Sequence, residues 1–104
     1  MVIYVAGAYQ SNRHTSRAYN IELARSVARE CWARGYAVIC PHLNTIDFDN
    51  VLTREEFIER DLEIVAKCDA VLMLPNWEIS EGAKEEKALA ESLDIPVTIY
   101  PLLP

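Results

Sequence analysis

Glycine is scarce in this chain: Gly7, Gly35 and Gly82 are the only three. None of them builds a GxGxxG, GxxxxGK[ST] or GxSxG pattern, which excludes the glycine-rich phosphate loops and the serine-nucleophile elbow. Histidine is scarcer still. His14 and His42 stand alone, without metal-ligand spacing to the scattered acids, so no metal site is expected. Positive charge is in deficit: 10 Lys and Arg face 16 Asp and Glu, a net charge of −6. That balance argues against nucleic-acid polymers and anionic membranes as partners. A small anionic ligand needs only a local cluster of donors and stays open. No apolar run exceeds strand length, so no membrane span is expected. The opening Met1-Val2-Ile3-Tyr4-Val5-Ala6-Gly7 has no basic leader and is too short for a signal peptide. Cys31, Cys40 and Cys68 are far apart and odd in number, which fits reduced, buried thiols and a cytoplasmic location.

What is present reads as one domain over residues 1–104, half apolar and a quarter charged. Residues 2–6 form a short apolar run rich in β-branched and aromatic types, the mark of a strand buried on both faces. A polar loop over 8–15 precedes a helix from about Ser16 to Arg34, with Ala24, Val27, Ala28 and Cys31 as its inner stripe and Gly35 as its stop. Residues 36–40 are a second buried strand, followed by a loop over 41–52 that carries His42, Asn44 and Asp47. Thr53-Arg54-Glu55-Glu56 has the form of a capping box and opens a helix to about Lys67. A third strand over 69–74 and a loop over 75–79 lead to Ser80, a natural N-cap for a helix to about Leu93. Val97 to Tyr100 make a fourth strand after the turn Asp94-Ile95-Pro96.

The order βαβαβαβ with helix-length crossovers predicts an α/β fold of the flavodoxin or Rossmann-like kind. It has three layers, with a parallel sheet of four strands in the order 2-1-3-4. Ligands of such sheets bind outside the carboxyl ends of the strands, where loops 7–15, 41–52 and 75–80 gather.

Two acids stand out against this frame. Helical spacing puts Gly82, Glu86, Leu89 and Leu93 on one stripe, and Phe57, Asp61, Val65 and Cys68 on another. Each stripe carries an inward carboxylate, which is costly unless it is paired or used. The competing readings are ion pairs: Glu86 with Lys87 or a nearby arginine, Asp61 with Arg13 or Arg54. Similar alternatives hold elsewhere. Tyr4 is a core tyrosine or a site residue. Ser80 is an N-cap or also an anion donor. Trp77 is a packing residue or stacks on a ligand base, and His42 is structural or contacts base or phosphate.

Tyr4-Val5-Ala6-Gly7-Ala8, then Arg60-Asp61-Leu62 with Cys68-Asp69-Ala70-Val71, then Ser80-x-Gly82-x-x-x-Glu86, resemble in order and spacing the nucleoside 2-deoxyribosyltransferase superfamily, which includes the 2′-deoxynucleoside 5′-monophosphate N-hydrolases. The form Trp77-x-x-Ser80-x-Gly82-Ala83-x-x-Glu86 also looks like a small branch of it found in bacteria and their viruses. The resemblance implies that Glu86 is the nucleophile at the anomeric carbon, Asp61 the acid toward the departing base, and Tyr4 a hydrogen-bond donor to the nucleophile. The substrate site expected is Gly7, Ala8, Tyr9, Ser11, Arg13, His42, Trp77, Ser80 and Gly82. Serine at position 80, where transferases of free nucleosides carry aspartate, points to nucleotides over nucleosides. Ala8 and Gln10 replace a serine and an arginine of the monophosphate hydrolases, leaving Ser11, Asn12 and Arg13 as substitutes for their phosphate contacts. The chemistry calls for no cofactor, and the resemblance further implies a homodimer or larger homo-oligomer. The function expected is N-glycosidic cleavage of a nucleoside 5′-monophosphate, as a hydrolase or as a transferase to another base. The alternative is a non-catalytic nucleotide-binding module on the same fold.

Overall fold

A computed structural model describes all 104 residues. The strands β1 (Val2–Ala6), β2 (Ala37–Ile39), β3 (Ala70–Met73) and β4 (Val97–Ile99) alternate with helices α1 (Arg17–Ala33), α2 (Pro41–Asn44), α3 (Arg54–Val65) and α4 (Glu81–Ser92). All three strand pairings are parallel and the sheet order is β2-β1-β3-β4, as the crossover pattern predicts.

Alternation along the two central strands divides the core. Ile3 and Val5 of β1, with Leu72 and Leu74, face α1 and pack on Ala24, Val27 and Cys31. Tyr4 and Ala6, with Val71 and Met73, face the opposite side and pack on Val65, Ala83 and Ala90 of α3 and α4. The chain direction thus puts Tyr4 on the same side of the sheet as the two acid-bearing helices. The three cysteines are free and buried. No helix is long and apolar enough to cross a membrane.

Several elements depart from the sequence reading. Residues 41–44 are a one-turn helix rather than loop, so His42 lies on α2. The loop after β3 contains a 3₁₀ turn at Trp77–Ile79. β2 is only half-buried, because it is an edge strand covered mainly on one face. The inner stripe of α4 is Ala83, Glu86 and Ala90, while Leu93 is 48% exposed. Two alanines let α4 lie close to the sheet, and this turns the helix so that Leu93 falls outside the contact.

Candidate functional site

The floor of the site is the exit of β1. The amide of Leu74 donates to Ala6 O at 2.7 Å, drawing the ends of β1 and β3 together. A Cβ on Gly7 would lie 2.7 Å from Leu74 Cβ and 2.9 Å from Asn76 Oδ1, so only glycine allows that approach. The next residues are held by side chains. Ala8 N donates to Asn76 Oδ1 at 3.1 Å, and Asn76 Nδ2 donates to Asn20 Oδ1 at 3.1 Å. Asn20 Nδ2 in turn donates to the carbonyls of Tyr9 and Gln10 at 3.3 and 3.2 Å. Asn20 is fully buried, and sequence reasoning missed it. The signal was available: Asn20 precedes Ala24, Val27, Ala28 and Cys31 on the inner stripe of α1, where a lone amide must have buried partners.

His42 adds another tie. Its Nε2 lies 2.7 Å from Ala8 O. A carbonyl only accepts, so Nε2 carries the proton, and burial lowers the pKa of the ring. Tyr9 meets the His42 ring edge-on, with centroids 5.5 Å apart. The Arg17 guanidinium stands 4.8 Å from the Tyr9 ring centre. Arg17 also bonds Asp49 through both nitrogens, at 3.1 and 3.0 Å, and Gln10 at 3.1 Å. It thereby ties the loop after β1 to the loop before α3.

Between these loops and the facing sides of α3 and α4 lies a cleft of about 350 Å³, the size range of small-molecule sites. Gly7, Ala8, Tyr9, Ser11, His42, Asp61, Ser80, Gly82 and Glu86 line it. Tyr4 lies beneath it, fully buried, with its hydroxyl donating to Glu86 Oε2. Two residues expected here are elsewhere. Arg13 is exposed and outside the lining. Trp77 is half-buried against the α3–α4 face of the core, with the Lys87 ammonium 5.2 Å from its ring centre, and takes the packing role.

The ion-pair readings of the two acids fail. Lys87 pairs with Glu91, and neither Glu86 nor Asp61 has a cationic partner. Glu86 is 7% exposed, and burial raises its pKa to about 8. The Tyr4 hydrogen bond works against that rise, and the Asp61 and Glu85 charges add to it. Burial also raises Asp61 to about 6. Burial and the two carboxylates hold the Tyr4 phenol well above its ordinary range, so it remains a neutral donor. Ser80 Oγ accepts from Ala83 N at 3.1 Å as the N-cap of α4. Its hydroxyl proton is left to donate into the cleft. Together these groups offer one buried carboxyl anchored by a phenol, a second carboxyl able to hold a proton near neutrality, and polar donors at the mouth.

Residues 1–99 match the family described as domain of unknown function, DUF4406. The chain belongs to this family. No protein of curated function matches the sequence. This family member shares the nucleoside 2-deoxyribosyltransferase-like fold with several solved structures. The 2-deoxyribosyltransferase of the psychrotolerant bacterium Bacillus psychrosaccharolyticus is similar over 100% of this chain and 77% of its own, at 18% identity and a TM-score of 0.66. BlsM is similar over 94% of this chain and 63% of its own, at 19% identity and a TM-score of 0.71. The 2-desoxiribosyltransferase of Leishmania mexicana is similar over 95% of this chain and 63% of its own, at 18% identity and a TM-score of 0.62. The chain therefore spans less than two thirds of the last two proteins.

Proposed function

We propose that residues 1–104 form a single catalytic domain that cleaves the N-glycosidic bond of a nucleoside 5′-monophosphate. The observation that carries this reading is the buried Glu86 carboxyl, without a cation, bonded by Tyr4 and open to a cleft that Asp61 also lines. A glutamate Oε attacks the anomeric carbon and the bond to the base breaks, the base leaving with the electron pair and taking a proton from Asp61. Water then attacks the same carbon, returns a proton to Asp61, and frees Glu86 and a sugar phosphate. A second base in place of water makes the same site a transferase. Nucleophile and acid are both side chains, so the proposed reaction calls for no cofactor. The fold shared with two deoxyribosyltransferases supports it, and so does Ser80 at the start of α4, which suits a phosphate better than an aspartate would.

The test is incubation with a panel of ribo- and deoxynucleoside 5′-monophosphates, with chromatography for free base. Glu86→Gln is expected to lower turnover at least about a thousandfold. Asp61→Asn is expected to lower it by roughly 10²–10⁴. Activity requires Asp61 protonated and Glu86 ionised, the reverse of the order in which the two groups release their protons, so the wild-type profile is expected to be a bell with limbs near the two shifted values, about 6 and about 8, with only about a hundredth of the chains in the productive state between them. Binding without release of base by any of the panel moves the reading to a nucleotide-binding module.

A further inference from the structure

We infer that Arg54 is the group that makes this cleft select a 5′-phosphate over a free 5′-hydroxyl. The inference rests on the nucleotide reading above and adds a residue which that reading does not use. Arg17, Arg25, Arg34, Arg60, Lys84 and Lys87 are each engaged in an ion pair. Of the remaining cations, Arg13, Arg29, Arg54 and Lys67, only Arg54 lines the cleft. It has no carboxylate within ion-pair distance, so its guanidinium is free to meet an anion.

Its place in the fold is suited to that. Arg54 is the first residue of α3, and Ile58, one turn later on the same face, packs 3.6 Å from where a Cβ of Gly82 would stand. The first turns of α3 and α4 are therefore neighbours at the carboxyl edge of the sheet. Long side chains lean toward the start of their helix, which directs the guanidinium toward the mouth of the cleft that Ser80 also lines. The acidic lining does not oppose an anion as strongly as its count suggests. Asp49 is matched by Arg17 at 3.0 Å and Glu81 by Lys84 at 3.4 Å, which leaves Asp61 and Glu86 as the only unpaired acids of the cleft. A guanidinium also has the planar fork that grips two phosphate oxygens at once.

The experiment is a set of titrations of wild type, Arg54→Gln and Arg54→Lys with the four common 2′-deoxynucleoside 5′-monophosphates and the four matching nucleosides, followed by heteronuclear NMR. Arg54→Gln is expected to weaken monophosphate binding roughly tenfold to a hundredfold, the usual worth of a charge-assisted hydrogen bond, and to change nucleoside binding less than about twofold. Arg54→Lys is expected to fall between the two, because it keeps the charge and loses the fork. Equal weakening of both ligand classes, or no change in either, overturns the inference while leaving the nucleotide reading intact. If wild type binds none of the eight compounds and none of the four common ribonucleoside 5′-monophosphates, the nucleotide reading falls and this inference falls with it.

Discussion

Glu86 is more at ease protonated than ionised in this fold, and that preference links stability to pH. Its ordinary pKa of 4.5 is raised to about 8, chiefly by burial. Below 4.5 the folded and unfolded chains both hold the proton, so burial of the carboxyl carries no ionic penalty. As pH climbs from 4.5 toward 8 the unfolded chain releases the proton and the folded chain keeps it, which favours unfolding. Stability is therefore lost across that window and the loss is complete above about 8. Asp61 adds a smaller loss between 3.8 and about 6. Gln at position 86 still accepts the Tyr4 hydroxyl and never ionises. Glu86→Gln is thus expected to match wild type at acid pH and to exceed it by a few kcal/mol, on the order of 2–4, above about pH 8. Urea midpoints across the range check this. A constant difference at every pH would show that the carboxyl is not strained by ionisation. A difference that grows with pH makes the proposed nucleophile and the destabilising group one residue, the usual trade between stability and activity.

At the scale of elements, the close approach of the paired ends of β1 and β3 positions everything above it. Gly7 has no Cβ, and a methyl there would stand 2.6 Å from Leu74 Cδ1 and 2.7 Å from Leu74 Cβ. The Cβ cannot rotate away, so the backbone must shift. Gly7→Ala is expected to destabilise the fold by about 1–3 kcal/mol, read from urea unfolding, and to loosen the contact of Ala8 N with Asn76, read from faster exchange of that amide. An unchanged Ala8 amide would show that the loop does not depend on the close approach of the strand ends. The strands and the three long helices were legible because apolar runs and helical periods are long enough to register. α2 was not: Pro41-His42-Leu43-Asn44 is one turn, too short for any period, and only Pro41 at its first position hints at a helix start. The inner stripe of α4 was misread for a different reason. Hydrophobicity favours Leu89 and Leu93; Leu89 does pack against the core, but close approach to the sheet puts Ala83 and Ala90 innermost and leaves Leu93 outside the contact.

For the whole molecule, the strand order was legible because right-handed crossovers leave few ways to lay four parallel strands. Tyr4 was singled out only through the resemblance; in the structure, alternation along β1 puts it on the α3–α4 side, where it meets Glu86. The network of Asn20, Asn76 and His42 did not follow, because no local pattern tells which polar residues meet across 34 to 68 positions of chain. The same scale frames the question of assembly. The chain exposes 6126 Å², close to the roughly 5900 Å² that a compact monomer of its mass exposes. A partner is therefore not needed to close the core. Yet large apolar side chains remain outside it: Tyr19 and Trp32 on α1, Phe48 and Ile79 lining the cleft, Val51 in the loop before α3, and Ile99 and Leu102 near the β4 edge. We expect self-association to cover part of this surface and to give a dimer or larger species in light scattering at micromolar concentration. Because one chain's core is complete, dilution to monomer is expected to leave the far-ultraviolet circular dichroism unchanged. A monomer throughout the micromolar range would contradict the proposed assembly, and loss of secondary structure on dilution would contradict the completeness of the single-chain core.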